Sequence, residues 1–168
     1  MPLLCVSELI RPDLIAHALI ATTKDEVLLE LVSLLHHKGL ICDQGEMLRA
    51  LQKRESSSST SLPEGCAMPH PAECVPGRFR SNVVVLGRTL MPISFGLPDN
   101  VPVDLFFLLC CQDRDSQVEV MHKLLKLIKK TNLLSCLRQA SDAAAMHQCF
   151  RTCEAQLTNR QPTPERQL

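Results

Sequence analysis

The sequence predicts an α/β fold, an α/β/α sandwich in which helices flank a mixed central β-sheet. Two amphipathic helical repeats support this, one after Thr23 and one after Gln117. Between them, Val103–Cys111 is apolar at nearly every position, which is typical of a central strand covered by helices on both sides. The 168 residues, 45% of them apolar, suffice for one domain with a substantial core.

The helix that follows Thr23 is the best defined element in the sequence. Thr23 and Glu26 have the spacing of a capping box, in which the hydroxyl and the carboxylate bind opposite backbone amides. Gly39 supplies the residue type that commonly ends a helix. The apolar residues between these signals recur at helical spacing and are Val27, Leu28, Leu31, Leu34 and Leu35.

Shorter signals predict the remaining elements. Asp43 with Glu46 begins a second helix, and Ser116 with Glu119 has capping-box spacing ahead of a third, Leu-rich helix. A last helix begins at Ser141 or Asp142. The other predicted elements are strands over 14–20 and 82–87 and a short helix over 133–140.

These elements fill one domain over residues 1–157. We expect the polar segment 158–168, which contains two prolines, to be a disordered C-terminal tail.

Charge and hydropathy argue against several classes of protein. The 18 Lys and Arg residues balance 18 Asp and Glu residues without forming a basic stripe, so we expect no nucleic-acid partner. The longest apolar run, 105–111, is too short to span a bilayer. The N-terminus lacks the basic region of a secretory signal. We therefore expect a cytoplasmic protein with no direct membrane insertion.

The nine cysteines form no C-x-x-C pair, and their number is odd. In a cytosolic chain the simplest interpretation is that they are small, reduced core residues. Zinc binding and a redox switch are the alternatives, but the spacing typical of zinc ligands is missing. We therefore expect no metal and no cofactor.

His70 is the main candidate for chemistry. It lies between Pro69 and Pro71, and a residue before proline is pushed away from helical backbone. This predicts a His mounted on extended backbone with little freedom. Because the ordinary pKa of imidazole is about 6.5, roughly three quarters of such rings are neutral at pH 7. The neutral ring has a lone pair that can attack phosphorus and form a phosphohistidine. The alternative is a surface His with no role.

Several short motifs surround His70 in a fixed order. Before it come Thr22–Glu26, Gly39–Ile41, Arg54–Glu55 and the loop 59–65 that leads to Cys66–His70; after it come Leu86–Arg88, Phe95–Asp99 and Pro102–Leu109. Over about residues 6–155 this arrangement resembles the IIA type 2 family of the sugar phosphotransferase system (PTS). The resemblance implies the α/β/α sandwich of that family and identifies His70 as the phosphorylated nucleophile.

The resemblance also implies a function and partners. A family member accepts a phosphoryl group from an HPr-like phosphocarrier protein and passes it to a IIB component, or regulates target proteins through its phosphorylation state. It is in this sense a phosphotransferase. Because the chain lacks a fused IIB or membrane domain, we expect the nitrogen-regulatory role rather than sugar uptake. Binding residues carried over by position are Thr60, Arg54 and Gly65.

The chain departs from the family pattern at two positions beside the site. Gln117 stands where the family usually has a second His, and Ala72 stands where it often has Arg or Lys. With Ser116 as the cap, Gln117 would lie in the first helical turn, where free amides favour an anion. We expect Gln117 to hold the phosphoryl group with less electrostatic help, and a Gln117→His variant to transfer it faster. The alternative is a regulatory binding protein of the same fold that is phosphorylated rarely or never.

Overall fold

The apolar run predicted as a central strand forms the middle of a five-stranded sheet in the computed structural model, which describes residues 4–96 and 101–160. The strands are β1 (Ile15–Leu19), β2 (Ser61–Leu62), β3 (Cys66–Ala67), β4 (Val83–Ser94) and β5 (Pro102–Cys110). Their order across the sheet is β1-β4-β5-β3-β2. The β4–β5 and β2–β3 pairs are antiparallel and the β1–β4 and β3–β5 pairs are parallel, so the sheet is mixed, as predicted.

Helices cover both faces of this sheet. In the described ranges they are α1 (Val6–Leu9), α2 (Lys24–His37), α3 (Gln44–Ser57), α4 (Arg114–Lys130), α5 (Leu133–Gln139) and α6 (Ala143–Asn159). Alternate residues of β5 serve two separate cores: Phe106 packs with residues of α2 and α3, whereas Phe107 packs with residues of α1, α4, α5 and α6. This arrangement confirms the α/β/α sandwich.

Two of the predicted helix starts are present as the sequence indicates. The Thr23 hydroxyl and the Glu26 carboxylate exchange hydrogen bonds with opposite backbone amides, which forms the capping box of α2. The Asp43 carboxylate accepts from the Glu46 amide at 2.8 Å and caps α3. Gly39 lies just beyond α2 with a φ of 67°, in the left-handed region that favours glycine.

The predicted cap at Ser116 is wrong. Asp113 is the N-cap of α4, and its carboxylate accepts from both the amide and the hydroxyl of Ser116 at 2.8 Å. Asp113 and Ser116 are both good capping residues, and the helix begins at the earlier of the two. Gln117 is therefore the fourth residue of α4 rather than the first.

The prediction that all the cysteines are reduced is also wrong, because Cys136 of α5 and Cys149 of α6 form a disulfide. No local spacing signal marks this pair, since the two residues lie on different helices and are 13 positions apart. The other seven cysteines form no disulfide; of these, Cys66, Cys110, Cys111 and Cys153 are buried, as the core interpretation expects.

Two boundaries differ from the sequence analysis. β4 continues to Ser94, beyond the predicted end at Gly87, and α6 continues to Asn159, inside the predicted tail. Residues 161–168 of that tail and residues 97–99 of the Phe95–Asp99 motif lie outside the described residues. Within the part of the chain that is described, no helix is long and apolar enough to cross a membrane.

Candidate functional site

His70 lies on the extended segment that continues β3 along the edge of β5. β3 pairs with β5 at Cys66 and Ala67, and the Leu109 amide donates to the Pro69 carbonyl at 2.9 Å. The backbone therefore stays aligned with β5 up to the residue before His70. Since β5 ends at Cys110 and α4 is capped at Asp113, His70 emerges where β5 ends and α4 begins.

The His70 ring is held by one hydrogen bond to its own segment. Nδ1 lies 2.8 Å from the Met68 carbonyl oxygen. A carbonyl oxygen can only accept, so Nδ1 carries the proton and the lone pair is on Nε2. No hydrogen bond from the residues in the described ranges reaches Nε2. The geometry therefore leaves the lone pair of Nε2 without a hydrogen-bond donor among the described residues.

The surroundings of His70 favour the neutral ring. The side chain is 9% exposed, and its burial is the main cause that lowers the pKa of His70 below its ordinary value. The hydrogen bond to Met68 raises the pKa, Arg54 lowers it and Glu55 raises it. Because burial dominates, more of the imidazole is neutral at pH 7 than in an exposed His.

A tightly bonded loop, residues 58–60, lies against this segment. The Thr60 carbonyl accepts from the Met68 amide at 3.1 Å. The Thr60 amide donates to Glu55 Oε2 at 3.2 Å, and the Thr60 hydroxyl donates to Glu55 Oε1. Its hydroxyl proton is thus already used, and Thr60 reaches His70 through its backbone. Sequence reasoning missed this role of Glu55, because nothing in the sequence marks it as buried.

Arg54 lies beside Glu55 at the end of α3. Its Nη1 donates to the Ser58 carbonyl at 2.9 Å, which anchors the loop from outside. Its charge also reaches His70, where it lowers the pKa. Arg54 is the predicted binding residue whose cation acts on the His70 ring.

Gln117 is buried, with 7% of its surface exposed. Its backbone amide donates to the Asp113 carbonyl at 3.1 Å, so the free amide expected in the first turn is not available at this residue. Its side-chain Oε1 accepts from the Cys74 thiol, with the sulfur 3.5 Å away. Gln117 Nε2 makes no hydrogen bond to another described residue and is left as a donor. This contact ties α4 to the loop that follows His70, and no sequence signal indicated it.

Gly65 does not lie beside His70. It lies in the turn between β2 and β3, with a φ of 82°. The five residues to His70 are extended and so span roughly 16 Å. A Cβ at Gly65 would be 3.0 Å from Arg138 Nη2 and 3.2 Å from the Pro102 carbonyl oxygen. The turn and these close contacts therefore require a glycine at position 65, at the end of β3 opposite His70.

An open cavity of about 330 Å³ borders the loop after His70. Ala72 lies on one wall, and Arg49 and Lys53 of α3 lie on the other. Neither of these cations forms an ion pair with a described residue. The lining also includes Glu46 and Glu73, so the cavity beside Ala72 carries charges of both signs. Within the described ranges, no three His, Cys, Asp or Glu side chains are grouped so as to hold a metal ion.

Solved structures with the same fold are PTS IIA proteins. The nitrogen regulatory protein IIA-Ntr from Neisseria meningitidis is 23% identical, with a TM-score of 0.75 over 86% of this chain and 98% of that one. The IIA mannitol protein from Escherichia coli is 18% identical, with a TM-score of 0.73 over 83% of this chain and 97% of that one. At these identities the likeness concerns the fold.

Sequence relatives carry related names. A nitrogen regulatory protein from Bradyrhizobium diazoefficiens is 26% identical over 149 residues, which cover 84% of this chain and 92% of the relative. A PTS system fructose-specific EIIABC component from Bacillus subtilis is 24% identical over 143 residues, and the chain spans only 22% of its length. Residues 8–153 match the phosphoenolpyruvate-dependent sugar phosphotransferase system EIIA 2 family. The chain therefore belongs to this family.

Proposed function

We propose that the chain is a phosphocarrier that accepts a phosphoryl group on Nε2 of His70. The observation that carries this proposal is the hydrogen bond between Nδ1 and the Met68 carbonyl, which leaves the Nε2 lone pair free. The donor would be the phosphohistidine of an HPr-like protein. As the new P–N bond forms at Nε2, the P–N bond of the donor breaks, while the proton on Nδ1 stays on the bond to Met68.

Arg54 and Gln117 would stabilise the transferred group. Arg54 supplies the cation whose charge already acts on His70, and Gln117 Nε2 supplies a neutral donor. Hydrogen bonds to a charged group are stronger when the donor is also charged. A site with one cation and one neutral amide should therefore hold a phosphoryl group less tightly than a site with two cations.

We propose a regulatory role rather than sugar uptake, in the cytoplasm. Two observations support this: the nitrogen regulatory names of relatives, and the weaker anion site at Gln117 and Ala72. The acceptor would be a IIB component or a regulated target protein. One solved neighbour is the Escherichia coli IIA mannitol enzyme in complex with phosphorylated IIB mannitol, at 18% identity and a TM-score of 0.74.

The test is to incubate the full chain with phosphoenolpyruvate, the first enzyme of the system and HPr, and to measure its intact mass. We expect a gain of one phosphoryl group that is lost in acid and does not form in His70→Ala. His122→Ala is the matched control, because His122 is an exposed residue of α4, and this variant should still be labelled. Circular dichroism would confirm that both variants fold.

The second candidate is a binding protein of the same fold that has lost phosphoryl transfer. The replacement of the second His by Gln117 and the exposed Ala72 favour it. If the wild-type chain gains no mass while a standard family member is labelled in parallel, this candidate is correct and the phosphocarrier proposal is wrong.

A further inference from the structure

Glu55 is a charged residue buried next to the candidate site. It is 4% exposed, although it belongs to a helix whose neighbouring positions Arg54 and Ser56 are more accessible. The described residues include five buried polar or charged side chains, and three of them lie in this region: Glu55, Thr60 and His70. A buried carboxylate is unfavourable unless it is paired and hydrogen-bonded. The partners of Glu55 therefore indicate its role.

The partners of the Glu55 carboxylate belong to the loop at residues 58–60 and to the start of α2. Thr60 donates to it twice, through its amide at 3.2 Å and through its hydroxyl. Lys24, the first residue of α2, places Nζ 3.4 Å from Glu55 Oε2. The same Nζ lies 5.2 Å from the centre of the Phe95 ring. Glu55 is thus the point at which α2, α3 and the loop meet.

The loop in turn fixes the backbone that holds the His70 ring. The Thr60 carbonyl accepts from the Met68 amide at 3.1 Å, and the Met68 carbonyl accepts from His70 Nδ1 at 2.8 Å. Three successive links therefore join the Glu55 carboxylate to the imidazole: Glu55 to Thr60, Thr60 to Met68 and Met68 to His70. The Met68 amide ties this segment to Thr60 on one side, and the Pro69 carbonyl ties it to the Leu109 amide of β5 on the other.

We propose that Glu55 is a positioning residue for His70, which acts through Thr60 and Met68 to keep the proton on Nδ1 and the lone pair on Nε2. Glu55 does not touch the reacting atoms in this proposal. It determines which ring nitrogen is free, and this holds whether or not a phosphoryl donor ever meets the chain. The inference thus goes beyond the proposed function and can be tested without it.

The test is nuclear magnetic resonance of the full chain with ¹⁵N-labelled histidine, at a pH where the His70 ring is neutral. The ¹⁵N shifts report which ring nitrogen carries the proton. In the wild type we expect a single form with the proton on Nδ1. In Glu55→Ala we expect a mixture of the two forms, because the Thr60 loop that holds Met68 on one side loses its anchor. Glu55→Gln should restore most of the wild-type pattern, since an amide oxygen can still accept from Thr60.

Glu64→Ala is the matched control. Glu64 lies at the opposite end of β3 and pairs with Lys129 at 3.2 Å, so its removal should leave the His70 shifts unchanged. If the wild type is phosphorylated, labelling of Glu55→Ala should slow by roughly tenfold to a hundredfold, as expected for a misplaced nucleophile. Labelling of Glu64→Ala should not slow.

A folded Glu55→Ala variant that keeps the proton on Nδ1 overturns the proposal. If that variant does not fold, Thr60→Val decides, because it removes only the hydroxyl that donates to Glu55. We expect a smaller shift toward the mixture in Thr60→Val, and unchanged ¹⁵N shifts there overturn the proposal equally. A wild-type chain that shows the single form but is never labelled would refute the phosphocarrier function and leave the role of Glu55 standing.

Discussion

The two ends of the β3 segment, only a few residues apart, differ in how their polar atoms are hydrogen-bonded. At the end that carries Gly65, Arg138 forms two bonds of 2.9 Å to the Asp104 carboxylate and a third of 3.0 Å to the Glu64 carbonyl. At the other end, His70 is held by one hydrogen bond, and Nε2 receives none from the described residues. The first end uses its polar atoms to hold the fold, whereas the second leaves a reactive atom available.

This difference shows that the role of a residue depends more on its position along the strand than on the sequence motif to which it belongs. Gly65 and His70 belong to one sequence motif, and the resemblance assigns both to the site. The extended backbone between them separates their roles, since strand residues advance about 3.3 Å each. Changes at the Gly65 end should therefore alter stability, and changes at the His70 end should alter chemistry.

Gly65→Ala should give the largest effect, and on stability alone. The new Cβ would lie in left-handed backbone and meet Arg138 Nη2 at 3.0 Å. Left-handed backbone costs an L residue about 1–2 kcal/mol, and the contact adds to this. We expect the free energy of unfolding in urea to fall by at least that amount, while labelling of His70 stays at the wild-type rate.

Gly39→Ala separates the two causes of that loss. Gly39 has a φ of 67°, but a Cβ there would meet nothing within 4 Å. The fall in the free energy of unfolding in Gly39→Ala should reflect the backbone alone and be smaller than the fall in Gly65→Ala. A clear fall in the labelling rate of Gly65→Ala would show that the two ends of β3 are coupled after all.

Gln117→His should change the chemistry with little effect on stability. Beside a negative phosphoryl group an imidazole at this position can take up a proton, and it would then bind the group more strongly than the neutral amide does, by about 1 kcal/mol, or roughly fivefold in rate. The measurement is the rate of phosphoryl transfer from HPr, followed by intact mass. Gln117→Asn, which stays neutral, is the control and should not accelerate transfer. Equal rates for wild type and Gln117→His would mean that Gln117 does not face the transferred group.

The smallest expected effect is the displacement of the pH profile of labelling in Arg54→Gln, a variant whose overall rate should also fall because it lacks the cation proposed to stabilise the transferred group. Burial lowers the pKa of His70, so the rate should be flat above the ordinary pKa of His and decline only at lower pH, as the ring becomes protonated. Arg54 also lowers this pKa, so its removal should raise the pKa and move the decline to higher pH. Arg54→Lys keeps the charge and should keep the profile. A decline that moves to lower pH in Arg54→Gln would contradict this assignment.

The sequence identifies the elements that depend on neighbouring residues. The capping box at Thr23, the cap at Asp43 and the extended mount of His70 each follow from contacts within a few positions, and all are present. The error at Ser116 has the same origin, because Asp113 precedes it by three positions and local rules do not rank the two caps.

Features that depend on distant residues could not be predicted in this way. The burial of Glu55 requires Lys24, which lies 31 positions earlier, since Glu55 and Lys24 meet only in the folded chain. The contact of Cys74 with Gln117 spans 43 positions, and the Cys136–Cys149 pair joins two helices. The charge of Glu55 gives the opposite signal in the sequence, because an unpaired Glu is almost always exposed.

Because of the disulfide between α5 and α6, the chain has an oxidised and a reduced form. Cys136 lies two residues from Arg138, so the bond supports the end of the sheet opposite His70. A closed loop of about 15 residues contributes about 3 kcal/mol in the chain-entropy account. A thiol reductant therefore yields a second covalent species with a looser scaffold and the same imidazole. We therefore expect preparations made with and without reductant to differ in their resistance to heat and proteases, whereas the hydrogen bond of His70 to Met68 is the same in both.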